Sequence, residues 1–119
     1  MLFLQYPKCS TCKKAKSFLD NNNVQYEDRH IVECRPTADE IRQWHTLSGL
    51  DIKKFFNSSG MLYKSMNLKD KLEKMSLEEK YELLASDGML VKRPLLIVGD
   101  KVLIGFKEAE WKLVLGVEG

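Results

Sequence analysis

The chain has 119 residues, 44% hydrophobic and 30% charged, which supplies one core beneath a well-solvated surface. Nineteen Lys and Arg against 17 Asp and Glu leave a formal charge of +2, without the basic excess of a dedicated nucleic-acid binder. No apolar run approaches the roughly 20 residues of a membrane span, and the apolar opening Met1–Pro7 is short for a signal-peptide core and has no basic segment before it. A cytoplasmic protein is expected, with no membrane partner and no direct nucleic-acid partner.

Leu2 to Gln5 reads as a short buried strand that Pro7 breaks. A helix pattern begins at Ser10, with Cys12, Ala15, Phe18 and Leu19 on one face. Asn21-Asn22-Asn23 ends it, because Asn tolerates the left-handed conformation of a helix C-terminus. Val24 to Ile31 reads as extended, Val24 and Tyr26 on one side and Gln25 and Glu27 on the other. Together these make a βαβ unit. The middle third is helical. Thr37 with Glu40 is a capping box, followed by Ile41, Trp44 and Leu47 at helical spacing and a stop at Gly49. After Phe55-Phe56 and the polar turn Asn57-Ser58-Ser59-Gly60, Asn67 with Asp70 opens a helix striped by Leu68, Leu72 and Met75. Ser76 with Glu79 is a second capping box; Leu77, Tyr81, Leu84 and Ala85 form its buried face, and Asp87-Gly88 ends it. The last third holds the apolar strand Leu95–Val98, a two-residue turn Gly99-Asp100, the return strand Val102–Ile104, and a closing helix from Lys107 to Leu115 carrying Trp111 and Leu115. The order β-α-β, helices, β-β-α is thioredoxin-like (glutaredoxin-like). It predicts an α/β fold with a four-stranded mixed sheet and a helical insertion at about 36–90 in a single domain, 1–119.

Three cysteines are an odd number, a disulfide framework is not expected in a reducing compartment, and a C-x-x-C beside a βαβ unit reads as a redox motif. Cys9 follows a strand and precedes a helix, where free N–H groups and the helix dipole favour a thiolate. Lys8, Lys13, Lys14 and Lys16 add positive charge, and Cys12 lies one turn on, within reach of a mixed disulfide on Cys9. The expected roles are Cys9 as nucleophile and Cys12 as resolving thiol, with Lys8, Ser10 and Thr11 around the substrate. Inert packed cysteines are the plain alternative. Zinc held by Cys9, Cys12, His30 and Cys34 is another, disfavoured because a long helix starts inside the motif; no metal is expected. Cys34 reads as a bystander, oxidisable if exposed, and His45 as a surface residue.

Lys92-Arg93-Pro94 leads into the strand Leu95–Val98. A simple strand start would account for it. In a thioredoxin-like fold, however, this proline is cis and faces the reactive cysteine. Pro94 would then border the substrate, and Arg93 would turn its guanidinium toward Cys9, favouring a thiolate or an anionic substrate.

Tyr6-Pro7-Lys8-Cys9-Ser10-Thr11-Cys12-Lys13-Lys14-Ala15, Asn57-Ser58-Ser59-Gly60, Lys92-Arg93-Pro94-Leu95-Leu96 and Leu103-Ile104-Gly105-Phe106 resemble the ArsC/Spx/YffB family of arsenate-reductase-like proteins over nearly the whole chain. The resemblance implies a thioredoxin-like fold, a catalytic Cys9 and Arg93 beside it. It implies no bound cofactor, and glutathione or a thioredoxin or glutaredoxin as electron donor and thiol redox partner. Arsenate reductases of this kind surround the oxyanion with three arginines. Here Ser59 stands where one is expected before Gly60, and no arginine stands near Phe106-Lys107. The Spx branch carries C-x-x-C and Arg-Pro, binds the RNA polymerase α subunit and uses the disulfide as a switch. Ser48-Gly49-Leu50-Asp51 is where such a surface would lie, although the chain closes Gly116-Val117-Glu118-Gly119, without the basic tail typical of Spx. Three readings follow: a thiol–disulfide oxidoreductase, an arsenate reductase, and a redox-sensing regulator.

Overall fold

The apolar opening becomes strand β1 (Leu2–Gln5) in the computed structural model, which describes residues 1–117. Helix α1 (Ser10–Asn21) and strand β2 (Glu27–His30) follow, then helices α2 (Ala38–Ser48), α3 (Met61–Ser65), α4 (Leu68–Lys71) and α5 (Leu77–Ser86). Strands β3 (Leu95–Val98) and β4 (Lys101–Ile104) and helix α6 (Glu108–Leu115) complete the order, with single 3₁₀ turns at Ile52–Phe55, Leu72–Lys74 and Gly88–Leu90. The backbone forms two units: Met1–His30 with the segment from Arg93 onward, and Ile31–Lys92. No helix among the described residues is long and apolar enough to cross a membrane.

In the first unit the four strands lie in the order β2-β1-β3-β4. β1 runs parallel to β2, Leu2 opposite Glu27, and antiparallel to β3, Phe3 opposite Leu96; β3 and β4 are an antiparallel hairpin. This is the mixed sheet of a thioredoxin-like fold. A parallel β1–β2 pair needs a crossover, and α1 provides it. β1 is central and reads as an unbroken apolar run because Phe3 and Leu4 are both sealed from solvent. The hairpin turns at Gly99, whose φ of 59° suits glycine. Phe3, Ala15, Phe18, Leu19, Leu96 and Leu103 close around the buried Trp111 of α6. The Trp111 indole N–H donates to the Gly105 carbonyl at 3.1 Å, so its one polar atom is satisfied inside the core.

The extended stretch expected over Val24–Ile31 is paired only at Glu27–His30. The residues before it complete the end of α1. Asn23 takes φ 56°, its N–H donates to the Asp20 carbonyl, and the Val24 N–H reaches back to the Leu19 carbonyl at 3.0 Å. Those two bonds are a Schellman motif, which keeps Asn23 at the helix end as expected and consumes Val24, the first residue of the expected strand. Val24 and Tyr26 keep their inward side and pack against the core. Ile31 is buried but already begins a turn.

In the second unit both capping boxes form: Thr37 with Glu40 opens α2 and Ser76 with Glu79 opens α5. Ile41 and Trp44 of α2 and Tyr81 and Leu84 of α5 are buried. Leu47 and Leu77, expected on these faces, stay 41% and 44% exposed, and Ala85 is half-buried. Leu47 lies in the last turn of its helix and Leu77 in the first turn of its own, where a periodic stripe outruns the packed stretch. The helix opened at Asn67 is only four residues long before it tightens to 3₁₀, and leaves Met75 half-buried. α3 has no counterpart in the apolar pattern, because it buries no residue. His45 is not a surface residue: it is half-buried, its Nδ1 lies 2.6 Å from the Tyr81 hydroxyl, and its ring meets Phe55 edge-on. Gly88 is required by a close approach, since a Cβ there would lie 2.0 Å from the Ile31 carbonyl oxygen.

Candidate active site at the first turn of helix α1

Pro7 ends β1, and the Cys9 N–H donates 2.9 Å to the Tyr6 carbonyl, so the chain turns at once into α1. Cys9 is the residue before the first helical turn, with extended backbone. Its sulfur therefore lies toward the N–H groups that have no helical carbonyl partner, without closing a capping hydrogen bond on them. Partial burial would raise its pKa. The Cys12 N–H, the Cys12 thiol, the Thr11 N–H and the Arg93 charge outweigh that and bring the Cys9 thiol below its ordinary value. Cys12, one turn on, is fully buried. Burial pushes its thiol up to about 12; the Tyr6 N–H opposes this, and the Cys9 sulfur adds to it. Both are thiols, one half-exposed and lowered, the other sealed and raised.

Arg93 and Pro94 join this turn from the other end of the unit. The Arg93–Pro94 peptide is cis. Pro94 is buried, and its carbonyl accepts the Gly105 N–H at 2.8 Å. The Arg93 guanidinium lies over the Tyr6 ring, 5.2 Å from its centre. Its charge favours the thiolate of both cysteines. Tyr6 is the site residue that pattern reading missed. Tyr6 falls after the strand expected over Leu2–Gln5 and carries no chemistry of its own in the motif, and only the fold brings Arg93 over it.

Lys8, Ser10 and Thr11 are exposed around the turn. Lys13 is tied to it by its N–H, which donates to the Cys9 carbonyl at 3.1 Å. Lys13 and Lys14 border an open groove of about 550 Å³ along α1, with Ser17, Phe18, Phe106 and Glu108. Lys16 does not add its charge to the cysteines as expected. It donates to the Tyr26 hydroxyl at 2.7 Å and pairs with Asp28 at 3.5 Å and Asp20 at 3.7 Å. Two carboxylates on one flank of α1 draw it there.

His30 meets the Tyr6 ring edge-on at 5.7 Å. Among the described residues no group of three His, Cys, Asp or Glu is placed to hold a metal ion. Cys34 is an exposed thiol in the second unit. Ser59 is exposed there too, its hydroxyl turned to the Asn57 side chain at 3.3 Å. Lys107 is exposed and precedes the first turn of α6. Leu50, in the segment Ser48–Asp51, is 43% exposed. Glu118 and Gly119, the end of the tail noted in the sequence, lie outside the described residues.

The ArsC family model matches residues 4–114. The protein YusI of Bacillus subtilis is 51% identical over 94% of this chain and 95% of its own. The global transcriptional regulator Spx 2 of Bacillus anthracis is 26% identical over 86% of this chain and 76% of its own. The crystal structure of an ArsC family related protein from Bacteroides fragilis superposes with a TM-score of 0.91 at 53% identity, covering 95% of each chain.

Proposed function

The chain belongs to the ArsC family, and from that premise we propose that it is a thiol–disulfide oxidoreductase of the cytoplasm, with Cys9 as nucleophile and Cys12 as resolving thiol. The observation that carries this reading is the unequal setting of the two sulfurs: one at the open helix N-terminus beside Arg93, the other buried one turn behind it.

The chemistry follows from that difference. The Cys9 thiolate attacks one sulfur of a substrate disulfide. A Cys9–substrate bond forms, the substrate S–S bond breaks, and the first substrate thiolate leaves and takes a proton from water. Cys12 keeps its proton while Cys9 is anionic, because burial and the neighbouring sulfur both oppose a second charge. Once Cys9 is capped that charge is gone, the Cys12 thiol loses its proton more readily, and its thiolate attacks the Cys9 sulfur. The second substrate thiolate leaves, and a Cys9–Cys12 disulfide remains. Two equivalents of glutathione, or a thioredoxin or glutaredoxin dithiol, supply the electron pair and the protons that return it to two thiols, and leave as glutathione disulfide or the oxidised partner. Arg93 holds negative charge at the attacking sulfur, and Lys8, Ser10, Thr11 and Pro94 border the approach of the substrate.

The test uses glutathione disulfide and mass spectrometry. Wild type is expected to form the Cys9–Cys12 disulfide, Cys12→Ser to stop at one glutathione on Cys9, and Cys9→Ser to do neither. Failure of Cys9 and Cys12 to pair under mild oxidation sinks the reading. Arsenate chemistry has less support. Arg93 is the one guanidinium among the three positions that the family resemblance marks, Ser59 and Lys107 holding the others. Charge-assisted hydrogen bonds contribute about 1.5–3 kcal/mol each, so their loss leaves the oxyanion poorly held. Arsenate is accordingly expected to drive no NADPH oxidation in the presence of glutathione and glutaredoxin.

A regulatory reading is favoured by the likeness to Spx 2 and by exposed Leu47 and Leu50 on either side of Ser48-Gly49. In that case the thiol pair acts as a switch on binding to the RNA polymerase α subunit. No retention of the α C-terminal domain by either redox form removes it.

A further inference from the structure

Tyr6 makes three separate contacts with the thiol site. Its carbonyl accepts the Cys9 N–H at 2.9 Å. Its own N–H favours the thiolate of Cys12. Its ring carries the Arg93 guanidinium 5.2 Å from the centroid. The first two belong to the main chain and survive any side-chain change. The third belongs to the ring alone, and the ring is itself held edge-on by His30 at 5.7 Å.

Arg93 ends a long, many-rotamer side chain, so where its charge sits depends on the surfaces it packs against. The face of a tyrosine ring is such a surface, with its negative quadrupole toward the cation. A guanidinium resting there is biased toward the turn and away from water, where its pull on a thiolate would be screened. Resting on the oxidoreductase reading above, we propose that Tyr6 is a positioning residue: its ring holds the Arg93 guanidinium at the turn that Cys9 opens. Tyr6 touches no substrate in this scheme and acts only through Arg93. Phenylalanine retains the ring face and should serve equally well.

The experiment is the pH dependence of iodoacetamide alkylation of Cys9, followed by peptide mass spectrometry on the full chain, with far-UV circular dichroism to confirm folding. Wild type should titrate below an ordinary thiol, and Tyr6→Phe should match it. Tyr6→Leu should titrate higher by at least about 0.3 unit, halving the thiolate fraction on the rising limb. Arg93→Met should also titrate higher, and adding Tyr6→Leu to it should change nothing more, because the ring acts only through the cation. Tyr6→Met is a second ringless variant if Tyr6→Leu does not fold. A low wild-type midpoint left unmoved by loss of the ring, or a Tyr6 effect that persists in full without Arg93, overturns the role of Tyr6 while leaving Cys9 as the nucleophile. An ordinary midpoint in wild type overturns the oxidoreductase reading itself.

Discussion

Cys9 and Cys12 have the same side chain and opposite acidities, because one stands at the mouth of a helix and the other beneath it. The difference has a consequence for stability that does not depend on the proposed reaction. A thiol raised in the folded state holds its proton where the unfolded chain has already lost it. Cys12 stabilises the fold fully below the unfolded thiol value of about 8.5. Its contribution then falls as pH rises toward its folded value of about 12. In that window the protein should lose up to about 1.4 kcal/mol per pH unit from this group. Denaturant midpoints of Cys12→Ala should decline less steeply between pH 9 and 11 than those of wild type (a window set by those two values). Equal slopes would show that Cys12 ionises normally in the fold.

At the scale of elements, the ends decide more than the middles. Pattern reading located α1, both capping boxes and the β3–β4 hairpin, because an apolar stripe or a Ser/Thr-x-x-Glu spacing is a local property. It placed the stop at Asn21-Asn22-Asn23 but overran β2 at its start, where Val24 is needed to close α1, and it missed α3, which has no buried face to leave a trace. Asn23 is therefore open to a direct check. At φ 56°, alanine should cost about 1 kcal/mol and glycine should be neutral or stabilising. Thermal melts of the two variants would show it, and an alanine variant as stable as wild type would remove the helix stop as the reason β2 is short. Gly88 belongs here too: Gly88→Ala should destabilise by about 1–3 kcal/mol, since the added carbon meets backbone rather than a side chain that could yield.

For the molecule as a whole, the thiol-bearing unit depends on one tryptophan. Trp111 is met edge-on by Phe106 at 4.9 Å and by Phe3 and Phe18 at 6.4 Å. Trp111→Ala should cost about 3–5 kcal/mol, a large share of the roughly 5–15 kcal/mol of a domain. Urea denaturation monitored by circular dichroism would measure it, and a loss under about 1 kcal/mol would show that the aromatic cluster collapses around the gap.

What the sequence determined by itself is what neighbours in the chain can settle: a thioredoxin-like order of elements, a C-x-x-C at a strand–helix junction, and an Arg-Pro before a strand. What needed the tertiary structure is what depends on residues remote in sequence. Arg93 rests on Tyr6 only because β3 lies beside β1. Lys16 is lost to the thiol turn because β2 and the end of α1 bring Asp28 and Asp20 to it. Cys12 differs from Cys9 chiefly through burial under packed neighbours. Charge, burial and ring contact act through space, and spacing along the chain does not encode them until the sheet has closed.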